Sequence, residues 1–534
     1  AQVARVSAPL ARDGMRGGTA SIMRGPRPAP ARKTSSSENR EATFLSSLIS
    51  LSAWALGVGV LALPRAVALC GPRCGIAFLM TFALWVDLSL RWVVACGRCS
   101  GKSGFRENAL FFFGQRAAQV VYIGQVLLLC GGMIAVYSTA ASLLGCSAKE
   151  LLDCLCHEEQ EEEEKVPLAS QSALDLPLRS LCRSAHPCEC MPRNRVLVLV
   201  ATIVFPLACQ RSLHALTWIS SLCLGFIVYF FSVLVWRLVD AGFAATAAVA
   251  ATSPEILAAA RVAMAAESGG AEGSFWQGPP IILMSLLCHT SILKLDGELR
   301  LEDRSRIGSV IDTVILRVAL PMYAVVGLGG YWLRGPGVSP NILEDFPGDA
   351  WMAVARLSLG AASVAKLATA TVTLREALVA EIPGSSPLGR ALRLPLGRAA
   401  AVAALLSAGA AAASVLGSLA RVLSLLGCTV GVLFSLCLPA ALYAQLLRDI
   451  AHERRCNSSV ATSTATDLER PLLAGPSSSG PLAAPLALAA AGVVRLPESP
   501  GGWLLQCFAC ASVFFGGILV GGLGLASWLS EFGA

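Results

Sequence analysis

Leu56-Gly57-Val58-Gly59-Val60-Leu61-Ala62-Leu63-Pro64 sits inside an apolar run from Phe44 to Leu69 that is long enough to cross a bilayer. Glycine lets the chain leave helical dihedrals, and proline removes a backbone donor and starts a new helix. In hydrocarbon an unwound turn survives only where protein, water or ligand satisfies its N–H and C=O groups. A span that breaks at its centre is therefore a candidate binding site, because bared backbone amides can hold an anionic group such as a carboxylate. A Gly-Val-Gly contact between two straight, closely packed helices is the other reading of the same residues.

Working outward, the composition sets the class. Of 534 residues 55% are hydrophobic and only 14% charged, which excludes an ordinary globular enzyme and implies an all-α multi-pass membrane protein. At about 20 apolar residues per crossing, spans are expected at 44–69, 75–97, 117–144, 195–210, 213–237, 279–297, 308–333, 350–378, 398–416, 420–447 and 503–529, about eleven in all.

Charge orients them. The tail over residues 1–43 carries Arg5, Arg12, Arg16, Arg24, Arg27, Arg32, Lys33 and Arg40 against Asp13, Glu38 and Glu41, and is expected to be disordered and cytosolic. Alternate loops hold Arg98, Lys102, Arg106 and Arg116, then Arg300, Arg304 and Arg306, then Arg390, Arg393 and Arg398, then Arg448, Arg454 and Arg455. That pattern fits an odd number of crossings and a C-terminus on the far side. An Arg- and Ser-rich, acid-poor start could instead be an organelle transit peptide. Plasma membrane and vacuolar or other endomembranes are both open as locations.

Residues 145–194 are polar and expected on the extracytosolic side. There Cys146, Cys154, Cys156, Cys182, Cys188 and Cys190 suggest disulfides of unreadable pairing. His157 and His186 beside Cys-x-Cys pairs match no standard zinc spacing, so no metal and no cofactor is expected. The acidic run from Glu158 to Glu164 reads as a solvated face. Residues 241–275 are Ala-rich and extracytosolic, with a helix outside the membrane, and 448–502 form a flexible cytosolic loop before the last helix, 503–534. Residues 44–447 are then expected to form a core of ten helices.

The sixth span holds a second break. Leu286-Leu287-Cys288-His289-Thr290-Ser291 puts a ring nitrogen and hydroxyls at membrane depth, where polar groups are costly and point to function. A structural His bonded to a neighbouring carbonyl is the plainer account. Breaks in spans one and six are five helices apart, the spacing expected of two inverted five-helix halves that each lend a discontinuous helix to one site.

These residues resemble a known family. The stretch from Leu56 to Pro64, the string from Cys288-His289 through Glu298-Leu299 to Asp303-Arg304-Ser305-Arg306, and Arg195 to Arg237 with Phe205-Pro206-Leu207 are similar to the amino acid/auxin permease family, above all its sodium-coupled neutral amino acid transporters. The likeness runs with interruptions from about Phe44 to Leu447. It implies a LeuT-type 5+5 inverted repeat plus one extra C-terminal helix, and a secondary active transporter of small neutral amino acids working by alternating access. On that resemblance the Gly57, Val58 and Gly59 backbone receives the substrate carboxylate and the carbonyls near Cys288 and His289 its ammonium. Ala55, Val58 and Ser285 set the room for its side chain. Glu298, Asp303 and Arg304 form a gate at the inner mouth.

One departure bears on coupling. Where sodium-coupled relatives place an Asn in the first helix and a hydroxyl in the eighth, this chain has Ala53 and Lys366, neither of which can ligate sodium. Lys366 lies ten residues beyond Arg356 and nine before Arg375, about 14 Å from either interfacial Arg at helical rise, too deep to snorkel easily. Its ammonium could stand where the ion stood and, by releasing and rebinding a proton, couple transport to H+ rather than Na+. Alternatively Lys366 pairs with a carboxylate such as Asp87, or the register is off by a turn. Asp87 and Arg91, four apart on one helix face, invite an ion pair of their own, whereas Asp312 and Arg317 have no evident role.

Other classes remain. A non-transporting amino-acid receptor of the same fold would bind without flux. An intramembrane enzyme lacks an acid, base and nucleophile set, so no catalytic residue is expected, and no span has the polar stripe of a channel. The partners expected are thus an amino acid, H+ or Na+, and the lipid bilayer, with no nucleic acid.

Overall fold

The computed structural model describes residues 43–163, 193–209, 217–251, 275–300, 302–464 and 500–532, a helical protein with no strand among them. Nine helices among the described residues are long and apolar enough to cross a membrane, and one bent pair makes a tenth if it is a single span. That pair is the run the sequence singled out. Helix α1 (Phe44–Ala55) starts on Thr43, whose side chain accepts from the Ser46 amide, and the chain leaves helical geometry at Leu56 and Gly57. A 3-10 turn, Val58–Ala62, leads into α2 (Leu63–Cys70), with Pro64 in its first turn, where a missing N–H costs nothing. The two halves bend by 42°. Gly71, at φ 77°, a value that favours glycine, turns the chain into α3 (Pro72–Ser100).

Helices α4 (Phe105–Phe113), α5 (Gln115–Glu163), α6 (Arg193–Ala208) and α7 (Thr217–Ala251) follow. The second break falls between α8 (Gly278–Ser285) and α9 (His289–Glu298). Then come α10 (Ile307–Asp312), which runs through a π-helical stretch, Thr313–Ala319, into α11 (Leu320–Arg334), and α12 (Ala350–Ala380). Short α13 (Pro387–Arg393), α14 (Pro395–Leu416), α15 (Leu419–Leu426), α16 (Leu438–Thr464) and α17 (Pro500–Phe532) complete it.

Several boundaries differ from the sequence expectation. Helix α5 continues to Glu163, so the first third of the expected 145–194 loop is helical. No Gly or Pro interrupts Cys146 to Glu163, and Glu and Leu are strong helix formers. Likewise α7 carries on to Ala251 and α16 to Thr464, shortening the expected loops at 241–275 and 448–502. The fourth expected span is 16 residues, short for a crossing, with Pro206 inside it. The basic tail, Cys182, Cys188 and Cys190, and the side chains of Cys146, Cys154 and Cys156 lie outside the described residues.

Two apolar cores organise the bundle. One joins α1, α2, α3, α8, α9 and α11 with α15 to α17. The other is built from Met133 and Tyr137 of α5, Val200 of α6, Leu367 and Val372 of α12, and Leu406 of α14; it shares two helices with the first, which also takes Leu128 and Leu143 of α5 and Met352 and Leu359 of α12. In lipid, helices are held by close packing more than by hydrophobicity, so glycines mark the tight seams. Gly360 of α12 receives Leu144, and Gly409 of α14 receives Met133 and Tyr137.

One of the tightest approaches is Gly427, where a methyl group would land on the Pro280 carbonyl, which is backbone and cannot swing aside. Gly427→Ala should therefore cost about 1–3 kcal/mol or more through overpacking. The purified variant should melt several degrees lower, while Gly132→Ala, with nothing within 4 Å, should match the parent. Equal melting of the two variants would contradict this account.

Candidate functional site

The two breaks meet. Ser285, the last residue of α8, places its hydroxyl 2.8 Å from the Ile281 carbonyl and 3.1 Å from that of Gly59. A side chain at Gly59 would sit 2.7 Å from Ser285 Oγ and 2.9 Å from its Cα, so only glycine permits this approach. Tyr323 of α11, fully buried, brings its hydroxyl within 2.5 Å of the Ala55 carbonyl and 2.9 Å of the Ser285 carbonyl. Its single proton is shared between the C-terminal ends of α1 and α8, where carbonyls lack helical partners. Sequence reasoning missed Tyr323, since nothing local distinguishes it from any tyrosine in an apolar span.

On the other face of the first break, Gly57, Val58, Val60 and Leu61 line a small cavity with Ser363 and Lys366 of α12 and Cys223 of α7. Its volume of about 10 Å³ is near the size that holds one water. Val60, Leu61, Ile227 and Leu359 of its lining belong to the first core, and Cys223 and Ala362 form a small cluster of their own. The structure thus brings Lys366 to the broken helix. No carboxylate pairs with it among the described residues; Asp87 is instead 3.0 Å from Arg91, which also pairs with Asp312. That gives Asp312 the role the sequence did not supply. Ala53 is buried in α1 but does not line the cavity. Arg356 and Arg375, expected at the interfaces, are 4% and 7% exposed and donate to the carbonyls of Leu343 and Ala208.

Cys288 and His289 are buried outside that cavity. The Cys288 carbonyl accepts from Ser291 Oγ at 2.8 Å, and so is already engaged. His289 Nε2 lies 2.7 Å from Ser89 Oγ of α3, whose own proton can go to the Val86 carbonyl at 3.0 Å. His289 Nδ1 is buried without a partner.

Below the breaks, at the end of the bundle holding the start of α1, sits an ionic cluster whose centre differs from the expected gate. Asp303 Oδ2 accepts from the Phe44 amide at 3.2 Å, tying α1 to the chain after α9. Arg304 pairs with Asp296 at 3.0 Å, and Arg98 of α3 pairs with the same carboxylate at 2.5 Å while donating to the Arg304 carbonyl at 2.6 Å. Asp303 and Arg304 belong to the cluster, but Glu298 is exposed and Asp296 takes the place expected for it. The reason is helical phase. His289, Ile292, Leu293 and Asp296 form one buried stripe at i, i+3, i+4 and i+7, and Glu298 falls off it.

Comparison with known proteins places this geometry in context. The sequence profile described as transmembrane amino acid transporter protein matches residues 40–457. Amino acid transporter AVT6B from Arabidopsis thaliana is 20% identical over 332 residues, 60% of this chain and 64% of its own length. The chain thus spans a little under two thirds of that relative.

Proposed function

The chain belongs to the transmembrane amino acid transporter family, and from that premise we propose that it carries small neutral amino acids by alternating access, with proton movement at Lys366 in place of sodium. The observation that carries the reading is Lys366 lining one cavity with Gly57 and Val58, with no carboxylate partner among the described residues. Alternating access needs two bodies that move against each other around a fixed site. In this reading α5, α6, α12 and α14, which share a cluster, act as one body, the broken helices move against it, and the breaks supply the site.

In this reading the protein has eleven spans, counting the bent first pair and Arg193–Ala208, arranged as two inverted five-helix halves plus α17. The N-terminus is cytosolic, so the cluster around Asp296 faces the cytosol. The Gly57 to Gly59 backbone receives the substrate carboxylate. The ammonium goes to the carbonyls of Ala55 and Ser285, where the negative ends of α1 and α8 concentrate, rather than to that of Cys288. Tyr323 holds those carbonyls until substrate takes them. Because the cavity admits about one water, substrate enters only when those bodies part.

Uptake of radiolabelled neutral amino acids into proteoliposomes tests this directly. An inward proton gradient should drive accumulation and an inward sodium gradient should not. Sodium-driven uptake would overturn the role given to Lys366, and binding without uptake would identify a receptor.

A further inference from the structure

Arg317 lies thirteen residues into the membrane-length run Arg304–Gly337 and twenty from its end. At helical rise that run is about 50 Å long against a hydrocarbon core of about 30 Å, so a centred core takes in Arg317. The residue is exposed, on one stripe with the exposed and apolar Pro321, Val325 and Trp332. It makes no hydrogen bond or ion pair among the described residues. A guanidinium that faces lipid alone is costly, and ionisable groups at that depth ordinarily pair with one another.

The opposite sign is in surplus beside it. Asp87 and Asp312 both bond Arg91 and act on each other electrostatically, so two carboxylates share one guanidinium. Asp312 is only partly covered, its side chain 37% exposed. The π-helical stretch Thr313–Ala319 follows it directly. Hydrogen bonds there run between residues five apart, which brings Asp312 and Arg317 closer to one face than an α-helix would put them. Within one chain, however, Asp312 is taken by Arg91 and forms no ion pair with Arg317. One exposed face thus presents a surplus anion and, about 7 Å along the helix, a cation without a partner.

We propose that a second copy of the chain docks on this face, with Arg317 of each copy paired to Asp312 of the other. Two copies inserted in one membrane in the same sense are related by a two-fold axis along its normal, which holds like residues at like depth. Such an interface is self-complementary, so a face that carries one cation and one anion satisfies both at once. The offset of about 7 Å is one that a long arginine stem covers by leaning along the helix. Each cluster then holds two carboxylates and two guanidinium groups. A second copy is favoured over an unrelated helix because this chain itself supplies both charges that the face lacks.

The test is dimerisation of the full-length chain in liposomes, read by energy transfer between donor- and acceptor-labelled copies as lipid dilutes the protein. The parent should associate, and Arg317→Gln and Asp312→Asn should each weaken association about a hundredfold, two pairs at about tenfold apiece. Mixing the two variants decides whether the pair runs between chains. A mixed dimer keeps one intact pair, Arg317 of one copy with Asp312 of the other, and should form about tenfold more tightly than either variant alone. A monomeric parent, unchanged association of Arg317→Gln, or a mixture no tighter than its components overturns the interface. If Asp312→Asn fails to fold because Arg91 loses a partner, Arg317→Lys replaces the mixing arm. Keeping the charge should hold it within about tenfold of the parent, and loss equal to that of Arg317→Gln overturns the pairing. A different polypeptide that co-purifies with a monomeric parent would assign the face to that protein and overturn the second copy.

Discussion

Lys366→Met should reduce proton-driven uptake to the level of protein-free vesicles while leaving the protein folded. Methionine fills nearly the same volume, so packing along α12 survives. What disappears is the cation that lines the cavity with Gly57 and Val58. Because an ammonium without a carboxylate partner is costly to bury, the variant should melt no lower than the parent. Lys366→Arg separates two roles of the group. A guanidinium keeps the charge but does not release its proton in a protein. It should therefore permit exchange of internal for external amino acid, which needs no net proton movement, and fail to drive accumulation. Proton coupling that persists in Lys366→Met would falsify the assignment, and equal accumulation by the Arg variant would reduce Lys366 to a fixed charge.

That prediction depends on a contact the sequence could suggest but not establish. The break at Gly57 to Gly59 was legible because Gly and Pro act locally, and the second break because polar residues at 286–291 interrupt an apolar span. Lys366 stood out by its depth, yet the residues it meets from other elements, Gly57, Val58, Val60, Leu61, Cys223 and Ile227, are far away in sequence. Tyr323 carries no local signal at all; its meaning lies in two carbonyls, those of Ala55 and Ser285. The second core was equally hidden, since α5, α6, α12 and α14 come together only after folding. Asp296 is a different case. The stripe from His289 through Ile292 and Leu293 contained it, and phase rather than proximity to Glu298-Leu299 was the signal to follow.

Asp296 also carries the largest stability effect expected in the molecule. Its side chain and that of Arg98 are each 5% exposed, and Arg304 closes on the same carboxylate. Removing one partner of a buried pair leaves the other charge stranded, at a cost of about 3–5 kcal/mol. Asp296→Asn should accordingly lower the melting temperature and, by releasing the chain after α9 from α3, weaken the closed state of that end of the bundle. Replacing a buried pair with apolar groups of similar size is often neutral. The double variant Arg98→Met with Asp296→Leu should then recover much of the stability lost by Asp296→Asn, a non-additivity that a double-mutant cycle reads directly. On the transport reading it should not recover uptake, because a gate there would have to open as well as close, and an apolar seam lacks the charges that water can reclaim on opening. Stability of the double variant at or below that of Asp296→Asn would show that the cluster acts through the Arg304 carbonyl and the Phe44 tether instead of through the buried pair.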